Sequence, residues 1–103
     1  MRKIATVKQA GDAVRVMLYA SGSGVYLFLY ESQEDGPCTA DYWFESAELA
    51  EQSALEDYGV ATSDWQTIPD PLDGCQHDWI APTRVRRDAT GQPMWGHFER
   101  VQP

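Results

Sequence analysis

The segment DPLDGCQHDW, residues 70–79, contains the side chains of this sequence that are best suited to chemistry. Cys75, His77 and Asp78 bring a thiol, an imidazole and a carboxylate together. Such groups can activate a thiolate nucleophile, either Cys75 or Cys38, with His77 or His97 as the base and a carboxylate such as Asp78 to orient it. Together with Cys38 and His97, the same groups are also ligand types that a tetrahedral zinc ion accepts.

Several features of the sequence argue against both kinds of chemistry. The paired Cys-x-x-Cys and His-x-x-x-His spacings of zinc sites do not occur in the chain. Side chains two positions apart on an extended chain point to opposite faces, so Cys75 and His77 meet only if the loop is bent. Neighbouring carboxylates also raise the pKa of a thiol, which opposes thiolate formation.

We therefore predict a loop that is anchored to the fold, with no catalytic residue, no metal and no cofactor. In this interpretation His77 and Asp78 bond main-chain groups, and Trp79 buries its ring against the sheet. A metal-dependent or thiol enzyme centred on Cys75, His77 and Asp78 remains the alternative. Cys38 and Cys75 each follow a turn, but we expect both to stay reduced in the cytosol.

Charge is distributed very unevenly along the 103 residues, whose net charge is −8. Residues 31–78 hold thirteen acidic side chains and no lysine or arginine. This acidic block repels nucleic-acid phosphates, and it attracts a basic protein over a Debye length of about 8–10 Å. We therefore expect a protein partner with a basic surface and no nucleic-acid partner. The simpler alternative is that the acidic residues only keep the protein soluble.

A basic and aromatic set returns near the C-terminal end: Arg84, Arg86, Arg87, Trp95, His97 and Arg100. This composition is also found on nucleic-acid-binding surfaces. On a chain with so many acidic residues, we expect these arginines to pair with the acidic block instead.

Alternating apolar residues separated by turn signals predict an antiparallel sheet of about five or six strands. Seven segments are candidates for these strands, namely residues 3–8, 13–19, 25–30, 39–44, 63–68 and a final pair, 79–87 with 94–101. The loop SGSG, residues 21–24, predicts a hairpin. Segment 25–30 is apolar on both faces, which indicates either a strand covered on both sides or a homodimer interface.

One main α-helix is predicted at about residues 46–58. Ser46 suits the N-cap, and Gly59 suits the left-handed residue that ends the helix. Alanines share one face of this helix, so it can pack closely against the sheet, whereas Leu49 is predicted to be exposed. The fold prediction is a single α+β domain over residues 1–103, with the helix on one face of the sheet.

No apolar run is long enough to cross a bilayer, and the first residues lack a signal-like pattern. We therefore expect a cytoplasmic protein that does not use a membrane as partner.

The central third of the chain has an Asp-x-Trp strand end, a Ser, an Ala-rich acidic helix that ends in Tyr-Gly, and a Trp shortly afterwards. The matching positions are Asp41, Trp43, Ser46, Ala50, Ala54, Tyr58, Gly59 and Trp65. In these features the chain resembles a family of small uncharacterised bacterial proteins. The resemblance implies a bacterial cytosolic α+β domain, and it assigns no catalytic role to any residue.

The sequence thus favours a non-catalytic module that binds another macromolecule. An immunity or inhibitor protein that neutralises a cationic toxin is one concrete form, because charge complementarity would drive such an interaction. The predicted contacts are the acidic residues of the helix and its flanks with an exposed tryptophan: Glu45, Glu48, Glu51, Glu56, Asp57 and Trp65.

Overall fold

The computed structural model describes residues 1–9 and 11–102 as seven β-strands, one α-helix and one 3-10 turn. The strands are β1 (Arg2–Thr6), β2 (Arg15–Ser21), β3 (Gly24–Tyr30), β4 (Ala40–Phe44), β5 (Gln66–Ile68), β6 (Thr83–Arg87) and β7 (Pro93–Arg100). The helix is α1 (Ala47–Tyr58), and the 3-10 turn is Thr62–Asp64. The predicted α+β class with one main helix is confirmed.

Five strands form an antiparallel sheet in the order β4-β3-β2-β1-β5. The predicted final pair exists, but β6 and β7 form a sheet of their own. Residues 79–82, predicted as the start of a strand, are irregular in the structure. Because Pro69, Pro71 and Pro82 cannot donate a main-chain hydrogen bond, the chain between β5 and β6 cannot continue the ladder of the main sheet.

The predicted hairpin is β2–β3, with only Gly22 and Ser23 between the paired residues Ser21 and Gly24. Strand β3 is hydrogen-bonded to β2 on one side and to β4 on the other. Its Leu27 belongs to a core cluster on one face, and its neighbours in sequence belong to a second cluster on the other face. A position inside the sheet therefore accounts for the two apolar faces of this strand.

The caps of α1 are those that the sequence predicts. The Ser46 hydroxyl accepts a hydrogen bond from the Leu49 amide, and Gly59 adopts φ 69°. The helix buries Ala50 and Ala54 against the first core cluster, which includes Val16, Leu18 and Leu27 from β2 and β3. Leu49 is exposed, as predicted. Among the described residues, no helix has the length and apolarity needed to span a membrane.

The opposite face of the sheet carries the second cluster, built from Met17, Phe28 and Tyr30. Residues 69–82 cross this face, and Ile80 from this segment packs on the cluster. We call residues 69–82 the covering loop. It covers only part of the face, and this partial coverage leaves a cleft beside it.

Candidate functional site

A buried arginine fixes the covering loop to the sheet. Arg2 on β1 is 2% exposed. At distances of 2.5–3.3 Å, its guanidinium donates hydrogen bonds to the carbonyl oxygens of Pro69, His77, Trp79 and Ile80. Burial lowers the pKa of Arg2, yet a guanidinium stays protonated in proteins. Four carbonyl dipoles thus surround a buried charge, and sequence reasoning missed this residue.

The side chains of Asp35 and Tyr30 also hold the covering loop. The Asp35 carboxylate accepts hydrogen bonds from the main-chain amides of Ile80 and Ala81, at 2.8 and 2.9 Å. The Tyr30 hydroxyl donates to the Asp78 carbonyl oxygen. The prediction of an anchored loop is therefore confirmed, although most of the side chains that hold it belong to residues outside the loop, namely Arg2, Tyr30 and Asp35.

The predicted roles of the loop residues are confirmed only in part. The Asp78 carboxylate accepts the Cys38 amide at 2.9 Å, so it does bond a main-chain group. The His77 ring instead packs against Tyr19, with 4.9 Å between ring centroids. Trp79 packs against Phe98 of β7 and not against the main sheet.

The residues of the alternative enzyme site converge only in part, because His77 and Asp78 line the same cleft whereas Cys75 and His97 do not. Cys75 is buried and lines an apolar cavity of about 290 Å³ beneath the covering loop, whereas His77 is exposed and lines a different cleft. His97 is exposed on β7, in the other sheet. Within residues 1–9 and 11–102, no cluster of three or more His, Cys, Asp or Glu side chains could hold a metal ion.

The Cys38 thiol is also poorly suited to nucleophilic attack. Cys38 and Cys75 are both free. Burial, followed by a hydrogen bond to Asp78 and the charge of that carboxylate, raises the pKa of Cys38 to about 12. A thiol with this pKa is almost entirely protonated at neutral pH, and the thiolate is the nucleophile. Cys38 is therefore poorly suited to be the nucleophile of a thiol enzyme.

The predicted acidic contacts divide into two groups. Glu45, Glu48, Glu56 and Asp57 are exposed, as expected of contact residues. Glu51 is half-buried and forms an ion pair with Lys3 of β1, so its charge is already compensated.

The prediction that Trp65 is an exposed contact residue is wrong. Trp65 packs against the first core cluster, and the Lys3 ammonium lies 5.1 Å from its ring centroid. Its indole nitrogen is buried and has no hydrogen-bond partner in the described part of the chain. Trp65 lies beside the helix because β5 pairs with β1, a long-range contact that the sequence pattern did not reveal.

The exposed aromatic residues lie elsewhere, on β4. Tyr42 and Trp43 are each 52% exposed, and β4 is an outer strand of the five-stranded sheet. Trp43 lies across the backbone of Gly24, where an added Cβ atom would meet its indole nitrogen at 2.2 Å. The exposed acids Asp41 and Glu45 flank the pair. Two adjacent aromatics between acidic residues are visible in the sequence, and this signal was not used.

Trp43 begins a row of aromatic side chains that crosses the sheet. It lies opposite Tyr26 of β3, which lies opposite Tyr19 of β2, and the row ends at the His77 ring. Phe28 lies two residues after Tyr26 on β3 and therefore on the same face. Its ring is parallel to that of Tyr26, with centroids 5.8 Å apart. Directly opposite residues of antiparallel strands share a face, so these rings form one continuous aromatic strip.

An open cleft of about 390 Å³ lies along this strip, at the edge of the covering loop. We call it the aromatic cleft. Its apolar walls are Tyr19, Tyr26 and Phe28. Its charged and polar groups include Asp41, Gln76, His77 and Asp78. It thus combines aromatic faces with two carboxylates, and none of the residues that line it is a lysine or arginine.

The internal ion pairs neutralise only a minority of the acidic block. Four of its thirteen acids form ion pairs, namely Asp35, Glu51, Asp64 and Asp70. The others have no such partner in the part of the chain that the structure describes. They are Glu31, Glu34, Asp41, Glu45, Glu48, Glu56, Asp57, Asp73 and Asp78.

The C-terminal arginines contribute little to this neutralisation. Arg100 lies 3.9 Å from Asp35, while Arg84 pairs with Glu99 inside its own hairpin. Arg87 donates to the carbonyl oxygen of Gly91. The expectation that these arginines neutralise the acidic block is thus met by Arg100 alone among the described ion pairs.

Comparison of the chain with protein-family models, with curated proteins and with solved structures finds no match.

Proposed function

We propose that this protein is a non-catalytic module that binds a protein with a basic surface. One observation carries the proposal: Tyr42 and Trp43, each half exposed on an outer strand, stand among acidic side chains that have no internal partner. Aromatic side chains dominate the binding energy of many interfaces, and the surrounding charges steer the encounter.

The proposed surface wraps around the outer edge of β4: Trp43 and Asp41 lie on the face of the aromatic cleft, whereas Tyr42 lies on the face that packs against α1. Asp41, Glu45 and Glu48 supply exposed negative charge along it, and Leu49 adds an exposed apolar side chain on the helix. Glu56 extends the acidic side of the helix. Such a mixture of aromatic, apolar and acidic side chains suits a partner that presents arginine or lysine around an apolar centre.

The other strongly exposed aromatic residue fits this partner less well. Trp95 is 77% exposed, but it lies on the β6–β7 hairpin, which also carries the exposed arginines Arg84, Arg86 and Arg87. A basic partner would be repelled there. This contrast favours β4 as the contact surface and makes Trp95 a matched control.

The proposal can be tested with the partner protein itself, captured from the native cell and then purified. Trp43→Ala is expected to weaken its binding at least about 30-fold, the loss typical of a central interface aromatic. Trp95→Ala is expected to leave the affinity within about 2-fold. Isothermal titration calorimetry measures both values, and thermal unfolding verifies that each variant folds.

Charge reversal supplies an independent test. A triple variant with Glu45→Lys, Glu48→Lys and Glu56→Lys should slow association and flatten its dependence on salt. A second triple variant, with Glu31→Lys, Glu34→Lys and Asp73→Lys, reverses three exposed acids outside the proposed surface and is the matched control. If the first triple variant and the wild-type protein bind with equal rates at every salt concentration, the acidic surface is not the contact.

An inhibitor or immunity protein for a cationic toxin is the form of this function that the charge favours most. We place its action in the cytoplasm on the basis of composition, and cell fractionation tests this. A homodimer through residues 25–30 is less favoured, because β3 already has a hydrogen-bonded neighbour on each side. Analytical ultracentrifugation measures the oligomeric state directly.

A further inference from the structure

We propose that the aromatic cleft receives an arginine side chain of the partner, and this inference rests on the proposed function. The cleft is continuous with the β4 surface, because Asp41 on β4 lines it and Trp43 lies directly opposite Tyr26, which is one of its walls. A partner seated on β4 would therefore reach the cleft without leaving the sheet edge.

The walls of the cleft suit a flat cation. Tyr19 and Tyr26 are partly exposed along it, and the Tyr26 ring is nearly parallel to that of Phe28, with 2° between their planes. A guanidinium is planar and only weakly hydrated, so it stacks on such ring faces and gains from their quadrupole.

The charges of the cleft also suit a cation. Asp41 is exposed and forms no ion pair in the described chain, so both carboxylate oxygens are free to accept a bidentate arginine. Asp78 adds a second negative charge, although one of its oxygens is already held by the Cys38 amide. An arginine guanidinium in the cleft would thus meet the free carboxylate of Asp41 and the second carboxylate of Asp78.

Arg2 and Arg15, the protein's own arginines on this face of the sheet, do not line the cleft. Arg2 donates to the carbonyls of the covering loop. Arg15 donates to the Gln33 carbonyl, and its guanidinium lies 4.0 Å from the Tyr30 ring centroid. The second of these contacts shows that this sheet face already stacks a guanidinium on a tyrosine ring. The cleft offers the same pairing to a cation from outside.

The test uses a blocked arginine, N-acetyl-arginine-N-methylamide, titrated into the isotopically labelled protein and followed by NMR. We expect saturable shifts of amides in Tyr19, Tyr26, Asp41 and His77, with millimolar affinity. The citrulline analogue, which has the same shape without the charge, should bind at least about 5-fold more weakly, because ion pairing and cation–π attraction are both lost. The lysine analogue should lie between them.

Two variants locate the site. Asp41→Asn removes the free carboxylate charge from an exposed position and should weaken blocked arginine about 2- to 10-fold. Glu31→Gln removes an exposed acid that lies outside both the cleft and the proposed contact surface, and it should have no effect. Equal binding of arginine and citrulline, or equal loss in both variants, overturns the inference.

The outcome is separable from that of the proposed function. If the purified partner binds and Trp43→Ala weakens it, while blocked arginine causes no shift in the cleft, only the arginine inference fails. If blocked arginine binds the cleft and Asp41→Asn weakens it, but Trp43→Ala leaves partner binding unchanged, the arginine inference stands as a site and the β4 contact fails.

Discussion

Replacing Arg2 with methionine should detach the covering loop, because a single guanidinium holds four of its carbonyl oxygens. Methionine keeps much of the length of the side chain and its apolar contact with the sheet. It removes every donor. The carbonyls that remain must then find water, or stay unpaired in a partly buried position.

The size of the effect follows from these bonds. A hydrogen bond from a charged donor contributes about 1.5–3 kcal/mol, and part of the sum is offset because the mutant no longer desolvates a guanidinium. We therefore expect Arg2→Met to lower the free energy of unfolding by about 3–5 kcal/mol. That is a large share of the roughly 5–15 kcal/mol that stabilises an ordinary domain. Arg2→Lys keeps the charge but has only three donors for four carbonyls, so we expect a smaller loss of about 1–3 kcal/mol.

Urea denaturation followed by tryptophan fluorescence measures the stability of each variant. Hydrogen exchange gives a local readout, because the amides of Ile80 and Ala81 are protected by Asp35 only while the loop is seated. The control is Arg84→Met, since Arg84 is exposed and pairs with Glu99 on the surface, where an ion pair contributes less than about 1 kcal/mol.

The reasoning is refuted if Arg2→Met costs less than about 1 kcal/mol and leaves exchange at Ile80 and Ala81 unchanged. The four hydrogen bonds would then be replaceable by water, and the loop would be held by other contacts. If the loop does detach, binding of blocked arginine to the aromatic cleft should weaken as well, because His77 and Asp78 belong to the covering loop.

Two further predictions concern local chemistry and backbone geometry. At pH 8, Cys38 should react with iodoacetamide far more slowly than a free thiol. Asp78→Asn should speed the reaction, because it removes a charge that raises the pKa of Cys38. Mass spectrometry of the labelled peptide gives the rate, and equal rates in the variant and the wild-type protein would contradict the assigned cause. Gly59→Ala should lower the free energy of unfolding, measured in urea, more than Gly74→Ala does. Both glycines have positive φ, but of the two only Gly59 has a neighbouring side chain that an added Cβ atom would meet, at 2.9 Å. Equal costs would mean that this neighbour moves away freely, leaving only about 1 kcal/mol of backbone strain at each position.

Local interactions made much of the fold predictable. The ends of α1 follow from Ser46 and Gly59, whose effects act within one helical turn. The β2–β3 hairpin follows from a two-residue turn between strands of matching pattern. The two apolar faces of β3 indicated either a covered strand or a homodimer interface, and the structure shows a core cluster on each face of this strand.

The candidate site was predicted less well, because exposure depends on contacts between distant parts of the chain. Trp65 and Trp43 are both tryptophans near the helix in sequence, yet Trp65 packs against the core and Trp43 stays half exposed. The order of strands decides this difference. Trp65 precedes β5, which pairs with β1 and brings the indole against the core, whereas β4 is an outer strand.

The sequence by itself determined the α+β class, the helix with its caps, the hairpin and the excess of negative charge, because each depends on neighbouring residues or on composition. Only the tertiary structure decided that Arg2 holds a loop 67–78 positions away and that Asp41 lies beside an aromatic cleft. It also decided which acids keep their charge uncompensated. The physical reason is that burial and charge pairing arise from which strands become neighbours, and periodicity along the chain does not specify that order.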